Sequence, residues 1–283
     1  GKSVCVTTPF CPYFFIKLPR NTSEMGVKSL WRKLTGPKSY ELVKSKDIWG
    51  FQNNETFPFM KLNFGSLSQM KKCDYQLRKP LPEEQFTRQV FESNLDPVLR
   101  FMHRSGIKST GWVDTGDGCV RSNLSRCNID LWCGDWKTLK SVEPEKVAPF
   151  VIMSLDIETY SSTGRFPDAD TKGDAVFQVG ITLKRIGETE IYDRVCLCYK
   201  STEGHLSFET ERDLLVATKD YILTVDPDII TGWNIFGFDL EFLYKRAAQN
   251  ECLSEFQELG RLKGIDSEMV YKKLSSSALG DNI

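Results

Sequence analysis

The chain has few histidines, and its cysteines lack the spacing of a zinc site. Only His103 and His205 occur in 283 residues, and none of the nine cysteines belongs to a C-x-x-C pair. A structural zinc site needs four such ligands, so the composition argues against one. Cys196 and Cys198 alternate within Ile191–Tyr199 and are expected on one face of a strand. We expect the thiols to be reduced, as in the cytosol or the nucleus.

Long apolar segments are absent as well. No apolar run is long enough to cross a membrane, and no signal-peptide pattern opens the sequence. These absences predict a soluble protein that is not secreted. The length of the chain predicts about two domains.

The net charge is only −1, but the two signs are unevenly distributed. Residues 1–150 carry 23 Lys and Arg against 15 Asp and Glu, a net charge of +8. Residues 151–283 carry 14 against 23, a net charge of −9. A basic half can attract phosphate groups and an acidic half can hold cations, although solvated surfaces also differ this much without a function.

The basic half is predicted to mix strands and helices. Strands are predicted at Pro12–Pro19, Asp47–Phe51 and Phe57–Phe64, and a helix is predicted at Ser66–Lys79. A further helix is predicted within Phe91–Met102, started by Ser93 or Asn94 and stopped by Gly106. Its apolar stripe is expected in the core: Leu95, Val98, Leu99 and Met102. The proline-rich stretch Ser141–Pro149 predicts a domain boundary.

The segment Val151–Tyr160 places apolar residues directly before two carboxylates, Asp156 and Glu158. The nearly continuous apolar run predicts a strand buried on both faces. Side chains two positions apart in a strand point to the same side, so the two carboxylates should lie together. Carboxylates this close repel unless a cation lies between them, and oxygen ligands favour Mg²⁺ or Mn²⁺. The alternative is a strand that simply ends in an acidic loop.

A second group of polar residues follows the strand predicted at Ile229–Thr231. Asp239 starts the helix predicted at Asp239–Gln249. One interpretation is that this Asp has no role other than stabilising the helix N-terminus. The same position can direct a carboxylate to the strand ends, where ligands bind in open α/β sheets. Phe238 and Trp233 are either core residues or a surface on which a base stacks. Between the two groups, the pattern predicts strands at Ala175–Leu183 and Ile191–Tyr199 and a helix that begins at Thr210. This order of elements predicts an α/β layer with a mixed sheet.

Both groups resemble sequence motifs of one enzyme family. Asp156-Ile157-Glu158-Thr159 and Asn234-x-x-x-Phe238-Asp239 are similar to the first and second 3′→5′ exonuclease motifs of family B DNA polymerases. Segments in both halves match the family too: Ala148-Pro149, Asp226–Ile230, Tyr244–Ala247, Phe91–Asp96, Leu99–Met102 and Ser275–Asn282. The loop Tyr160–Gly180 most resembles delta-type polymerases of eukaryotes and replicases of large eukaryotic DNA viruses.

The resemblance implies a replicative DNA polymerase with a proofreading exonuclease. It implies an α+β chain, with a β-rich amino-terminal domain at 1–147 and a mixed-sheet, ribonuclease-H-like α/β exonuclease domain at 148–283. In the family, the residues matching Asp156, Glu158 and Asp239 hold two Mg²⁺ or Mn²⁺ ions for hydrolysis. The residues matching Thr159, Asn234 and Phe238 contact the single-stranded primer end. The implied partners are primer-template DNA, the rest of the polymerase and a sliding clamp or accessory subunits, in the nucleus or a viral replication compartment.

The sequence departs from the family in its third exonuclease motif, a Tyr followed four residues later by an Asp. After Asp239 the tyrosines are Tyr244 and Tyr271, and the residues four positions on are Ala248 and Ser275. The polymerase signature Y-G-D-T-D-S is absent too. We therefore expect a fragment whose exonuclease site is incomplete, with the polymerase activity belonging to its parent protein. Two other hypotheses stay open: a non-catalytic module that binds single-stranded nucleic acid, and a scaffold for replication proteins.

Overall fold

A computed structural model describes residues 2–47, 50–81, 88–143, 147–200, 206–271, 274–276 and 280–282. Contacts divide the chain into two compact units. The first consists of 1–6, 121–131 and 145–283, and the second of 7–120 and 132–144. The domains 1–147 and 148–283 stay a prediction. The contact-based units differ from them chiefly by two short segments of the amino-terminal half.

The element bounds in chain order are as follows. The strands are β1 (Val4–Thr7), β2 (Tyr13–Lys17), β3 (Pro37–Ser45), β4 (Phe57–Phe64), β5 (Val90–Phe91), β6 (Trp112–Asp114), β7 (Cys119–Arg121), β8 (Ile129–Cys133), β9 (Lys140–Val142), β10 (Val151–Tyr160), β11 (Ala175–Arg185), β12 (Ile191–Tyr199), β13 (Leu206–Phe208), β14 (Ile229–Thr231), β15 (Leu274–Ser276) and β16 (Gly280–Asn282). The helices are α1 (Glu24–Lys33), α2 (Leu67–Leu77), α3 (Pro97–Ser105), α4 (Glu211–Val225), α5 (Asp239–Gln249) and α6 (Leu253–Phe256), with a 3₁₀ turn at Trp136–Thr138.

A mixed five-stranded sheet organises the first unit, in the order β13-β12-β11-β10-β14. The chain β10-β11-β12 forms an antiparallel meander, while β14 runs parallel to β10 and β13 runs parallel to β12. Strand β14 follows the meander through a crossover connection that contains α4, and this connection lets it pair parallel to β10. The mixed α/β architecture with a mixed sheet confirms the predicted fold class.

Strand β10 has one buried face and one open face. Met153, Leu155 and Ile157 are at most 6% exposed and form the core with residues of β11, α4 and α5. Asp156 and Glu158, which alternate with them, are exposed. The prediction of burial on both faces is therefore wrong, because helices cover only one side of β10. The prediction that the two carboxylates share a side is confirmed.

A buried ion pair connects the helices of the first unit. The Arg246 guanidinium of α5 donates to both carboxylate oxygens of Glu211, at 2.9 and 2.6 Å, and to the carbonyl of Ala169 at 3.1 Å. Glu211, the first residue of α4, also accepts the N–H of Val176 at the start of β11 and the Asn250 side-chain amide, at 2.9 and 2.7 Å. Both charges are nearly buried. Since every acceptor position has a donor, the pair fixes α4, α5 and the start of β11 to one another.

The second unit contains an antiparallel sheet in the order β3-β4-β2-β5. Its chain order is strand, helix, strand, strand, helix, strand, in which α1 and α2 are the helices. The helices and the sheet share one core, which includes Phe14, Met60 and Phe64 from the sheet and Leu30 and Met70 from the helices. Ser23 and Ser66 accept N–H groups at the starts of the two helices, as N-cap residues do.

Helix α3 corrects a sequence prediction. It starts one residue after Asp96, which caps it, and not after Ser93 or Asn94, and its predicted core residues Val98 and Leu99 are 65% and 56% exposed. Arg100 is buried instead, because its guanidinium donates to the backbone carbonyls of Tyr13 and Glu92 at 2.7 and 2.8 Å. These hydrogen bonds decide which face of α3 points inward.

The cysteines also differ from expectation. Cys119 and Cys133 form a disulfide, so the expectation that the thiols are reduced is wrong for this pair. Their Cα atoms lie 4.5 Å apart, a distance that a disulfide spans. The other seven cysteines carry thiols, and the prediction that Cys196 and Cys198 share a face of one strand is confirmed by the contact between their sulfur atoms.

Most other predicted elements are confirmed. The strands and helices predicted between Ala175 and Gln249 correspond to β11, β12, β14, α4 and α5, and the helix predicted at Ser66–Lys79 corresponds to α2. The strand predicted at Asp47–Phe51 falls partly outside the described residues, and its described residues are not in a strand. Helix α1 and strand β3 were not predicted. None of the helices in the described part of the chain combines the length and apolar character needed to cross a bilayer.

Replacing Arg246 by Met should destabilise the first unit strongly, because the Glu211 carboxylate would stay buried without its cation. Breaking a buried pair in this way costs about 3–5 kcal/mol of unfolding free energy. Denaturant unfolding of the chain would measure the loss. Arg212→Met is the matched control, since Arg212 pairs with Glu255 on the surface and should lose at most about 1 kcal/mol. Equal losses in the two variants would contradict this account of the buried pair.

Candidate active site

The site lies where strand β14 ends and β10 continues. Strand β14 pairs with Ile152–Ser154, so among the residues that the structure describes the part of β10 beyond Ser154 has no strand partner on that side. After Thr231 the chain turns through residues 232–238 and then begins α5 at Asp239. This turn brings the start of α5 to the edge of β10 beyond Ser154, where β14 no longer pairs.

The carboxylate of Asp239 supplies the hydrogen-bond acceptor that a neighbouring strand would otherwise offer to β10. Its Oδ1 accepts the N–H of Ile157 at 3.1 Å, and its side chain is 3% exposed. Burial raises the pKa of Asp239, and the neighbouring Asp156 carboxylate raises it further, whereas the N–H groups of Asp239 itself and of Ile157 oppose the shift. Asp239 is thus fixed beside Asp156 in a position that disfavours two unscreened negative charges.

The turn before α5 needs glycine at position 232, because its backbone there passes close to β10. A Cβ atom on Gly232 would lie 2.3 Å from the carbonyl oxygen of Leu155, so the backbone of the turn approaches β10 as closely as it can. Asn234 has φ of 51°, a left-handed conformation that asparagine tolerates. Its carbonyl accepts the N–H groups of Gly237 and Phe238 at 2.8 and 3.1 Å, which closes the turn.

Asp156 and Glu158 project from the open face of the sheet. Asp156 lines a cavity of about 540 Å³ together with Ser154, Gly180, Thr182 and other residues of β11 and β12. Glu158 lies two positions further along the strand, next to an irregularity in the pairing between Glu158 and Thr159. Among the residues that the structure describes, no group of three or more His, Cys, Asp and Glu side chains is placed to hold a metal ion. The structure therefore brings Asp156 and Asp239 together and leaves Glu158 outside such a group.

An aromatic cluster forms at Phe238, the residue that directly precedes Asp239 in the chain. The ring of Phe238 is 5.4 Å from the rings of both Phe166 and Phe242. Phe242 belongs to the core and is 3% exposed, whereas Phe166 is 79% exposed. Phe166 and Phe238 also line a cavity of about 320 Å³. Phe238 is consequently half core residue and half surface residue, which leaves both sequence interpretations open.

The loop that carries Phe166 is fixed by Asp174. The Asp174 carboxylate accepts the N–H and the hydroxyl of Ser162 at 2.8 and 2.7 Å and the N–H of Asp168 at 2.9 Å. These hydrogen bonds lower the pKa of Asp174, the N–H of Asp168 first among them. The loop 161–174 is therefore held in a defined shape although it contains no helix and no long strand.

Two exposed aromatic residues lie at the second motif, Trp233 directly before it and Phe236 inside it. Trp233 is 91% exposed and Phe236 is 85% exposed, so Trp233 is not a core residue. The sequence analysis did not identify Phe236 or Phe166 as functional residues. Each is a large apolar residue inside a polar or glycine-containing turn, and that placement is the signal that could have indicated them. Thr159, the remaining predicted contact residue, is half-buried and pairs with Val176 of β11.

Comparison with known proteins finds similarity to one family. The family model described as "DNA polymerase family B, exonuclease domain" matches residues 88–281. A DNA polymerase of Paramecium bursaria Chlorella virus NY2A is 29% identical over 303 residues, which cover 100% of this chain and 32% of the relative. The DNA polymerase delta catalytic subunit of Arabidopsis thaliana is 32% identical over 292 residues, or 93% of this chain and 26% of the relative. The chain thus spans a third or less of the length of these relatives.

A solved structure shows the same fold. The family B DNA polymerase of the hyperthermophilic archaeon Pyrobaculum calidifontis aligns with 91% of this chain and 30% of its own, with a TM-score of 0.60 and 19% identity. At this identity the likeness concerns the fold alone.

Two replacements of Asp239 should separate the effect of its buried charge on stability from the effect of its hydrogen bond to the Ile157 N–H. Asp239→Asn keeps an oxygen acceptor for the Ile157 N–H and removes the buried charge, so its melting temperature at neutral pH should equal or exceed that of the parent. Asp239→Ala leaves that buried N–H unpaired and should cost about 1–3 kcal/mol. Calorimetric melting in the presence of a chelator would measure both.

The stability difference between Asp239→Asn and the parent should depend on pH, and its direction shows whether the Asp239 charge destabilises the fold. Because the pKa of Asp239 is raised in the folded state, its stabilising protonated form is lost as pH rises above the usual range of an Asp. The advantage of Asp239→Asn should therefore be largest at neutral pH and shrink towards pH 4, near the ordinary value of 3.8. An advantage that grew on acidification would contradict the assignment.

Proposed function

Because the chain belongs to DNA polymerase family B and carries that family's exonuclease domain, we propose that its site performs 3′→5′ proofreading hydrolysis of a primer-terminal phosphodiester. The function is that of a replicative DNA-directed DNA polymerase of which these residues form part. The signature Y-G-D-T-D-S does not occur in the sequence, so no residue of this chain is assigned to nucleotide addition. One observation carries the proposal: the Asp239 carboxylate, fixed on the Ile157 N–H, lies beside Asp156 at the open edge of β10.

The carboxylates fit a divalent metal ion in their chemistry. Asp156 and Asp239 offer only oxygen donors, and a cation between them would relieve the repulsion that helps to raise the pKa of Asp239. Glu158 shares the open face with Asp156 and is the proposed third ligand. Mg²⁺ or Mn²⁺ held by these residues would supply a water of lowered pKa and neutralise charge on the scissile phosphate.

The chain's own side chains would hold the strand end. Phe238 and the exposed ring of Phe166 offer aromatic surface on which an unpaired terminal base can stack, as aromatic platforms do in proteins that bind single strands. Asn234 is exposed at the turn that leads to Asp239, and Thr159 ends the β10 segment that carries the carboxylates. All four residues thus lie in the segments that carry the carboxylates or next to them. We assign three of these four residues to substrate binding: Phe238, Asn234 and Thr159.

The partners and location follow from the family. The proposed substrate is the single-stranded 3′ end of primer-template DNA, and the proposed partners are the rest of the polymerase and a sliding clamp or accessory subunits. Since the relatives include both a viral polymerase and delta catalytic subunits, we propose the nucleus or a viral replication compartment as the place of action.

A binding module without catalysis is the second candidate. It is favoured by the lack, in the described part of the chain, of a three-residue metal-binding group. In that case the aromatic and polar residues would hold a single strand without cleaving it.

We expect slow, metal-dependent shortening of a 5′-labelled single-stranded oligonucleotide from its 3′ end, measured on a sequencing gel. Asp156→Ala should abolish Mn²⁺ uptake measured by calorimetry and should reduce the rate about a thousandfold, which corresponds to about 4 kcal/mol of activation free energy. The matched control is Asp220→Ala, since Asp220 is an exposed carboxylate of α4 whose partner is its neighbour Lys219.

The outcomes separate the two candidates. Binding of the oligonucleotide without shortening at any Mg²⁺ or Mn²⁺ concentration would favour the binding module. Shortening that persists at full rate in Asp156→Ala would overturn the proposed catalytic site.

Phe238→Ala should weaken binding of single-stranded DNA and leave duplex binding nearly unchanged, because stacking needs an unpaired base. The loss of one base–aromatic stack costs about 1–3 kcal/mol. Fluorescence anisotropy with labelled oligonucleotides would measure it. Phe51→Ala is the control, since Phe51 is 95% exposed and lies in the other unit. A Phe238→Ala protein with a lower melting temperature but normal affinity for single-stranded DNA would show that the ring contributes to core packing and not to DNA binding.

A further inference from the structure

Two free thiols of strand β12 lie in contact. The sulfur atoms of Cys196 and Cys198 are 3.5 Å apart, because residues two positions apart in a strand point to the same side. Leu197 between them points to the opposite side and belongs to the helix-covered core. The two thiols therefore lie on the face of the sheet that also carries Asp156 and Glu158, outside the group of residues assigned to hydrolysis.

The pair is in register with the carboxylates. Asp156 pairs with Gly180 of β11, and Gly180 pairs with Cys196. Glu158 pairs with Gln178, which in turn pairs with Cys198. Two rows thus run across the open face, each with a carboxylate at one end and a thiol at the other, two strand spacings or about 10 Å away.

Solvent reaches Cys196 through the cavity of about 540 Å³. Cys196 is half-buried and lines this cavity, whereas Cys198 is buried beside it. Asp156 lines the same cavity, and the glycine at position 180 places no side chain between the two ends of the row. A small reagent that enters the cavity meets Cys196 first and has Cys198 within reach.

The geometry suits an acceptor between the two sulfur atoms better than a bond between them. A disulfide would require the sulfur atoms to close from 3.5 Å to about 2.0 Å. Cα atoms two positions apart in a strand are also about 6.6 Å apart, near the upper limit for a disulfide. By contrast, two sulfur atoms bonded at about 2.3 Å to one acceptor atom, with a bond angle of about 95–110° between them, lie about 3.4–3.8 Å apart. The observed separation therefore lies within the range of a chelate.

We propose that Cys196 and Cys198 form a dithiol site for thiophilic acceptors that make two bonds to sulfur, of which trivalent organic arsenicals are the simplest class. An arsenoxide R–As=O reacts with two thiols to give R–As(S–Cys)₂ and one water. Two As–S bonds replace the As=O bond and two S–H bonds, the oxygen and both protons leave as water, and arsenic stays trivalent. The thiolate ligands that bind an arsenical also suit soft metal ions.

The test uses phenylarsine oxide with the folded 283-residue chain in the absence of reducing agents. Intact mass spectrometry should show one phenylarsenic group per chain, with the loss of one water. The adduct should survive excess 2-mercaptoethanol, since a monothiol does not compete with a chelating pair, and 2,3-dimercaptopropanol should release it. Cys196→Ser should lower the retained adduct at least tenfold. Cys11→Ser and Cys252→Ser, which change an exposed and a buried thiol elsewhere, should leave it unchanged.

Each outcome decides the proposal. Full retention of the adduct in Cys196→Ser, or no retained adduct in the parent chain, would overturn it. A Cys196–Cys198 disulfide found by peptide mapping of the untreated protein would do the same. Because Cys196 is half-buried, Cys196→Ser should melt at the parent temperature, and Cys196→Ala serves as a second variant if it does not.

A second arm rests on the proposed function. A phenyl group bound at Cys196 would occupy the cavity that Asp156 lines, so the modified chain should bind Mn²⁺ at least tenfold more weakly than the untreated chain. Cys196→Ser treated with the same reagent should keep its Mn²⁺ affinity. The loss of Mn²⁺ binding depends on the metal site and the adduct does not, so a retained adduct with no Mn²⁺ binding in any sample would overturn the metal site and support the dithiol.

Discussion

The contact between the Asp239 carboxylate and the Ile157 N–H sets the geometry of the site. Strand β10 extends beyond its partner β14, and a backbone N–H on that open side must still find an acceptor. The first side chain of α5 supplies it. The carboxylate thereby positions α5 against β10, places Phe238 over the core, and requires Gly232 where the turn passes the carbonyl of Leu155.

The two faces of the sheet serve different purposes. The face covered by α4 and α5 holds the apolar core, and the buried Glu211–Arg246 pair fastens its helices. The open face carries the carboxylates of β10 and the thiols of β12 in two rows. Packing of the covered face holds the strand backbone in place. Side chains that alternate along one strand share that backbone, so the same packing also positions the side chains of the open face.

The sequence was sufficient for β10, β11, β12, β14, α4 and α5 of the acidic half, where apolar periodicity is strong. It was insufficient for α3, since the two hydrogen bonds of the Arg100 guanidinium join residues 8 and 87 positions away. It was also insufficient for Cys119 and Cys133, which meet only after the chain has folded. In each case the deciding interaction joins distant residues, and local periodicity carries no information about it.

The sequence by itself determined the family, the two carboxylates on one side of β10, and Asp239 at the first position of α5. Motif spacing and the two-residue period of a strand are local properties, so they can be read from the chain. Only the tertiary structure decided that β10 has one open face, that Asp239 is buried next to Asp156, and that Cys196 stands in the same row as Asp156. These facts depend on which strands pair and where β14 stops, because strand register is fixed by packing over the whole sheet.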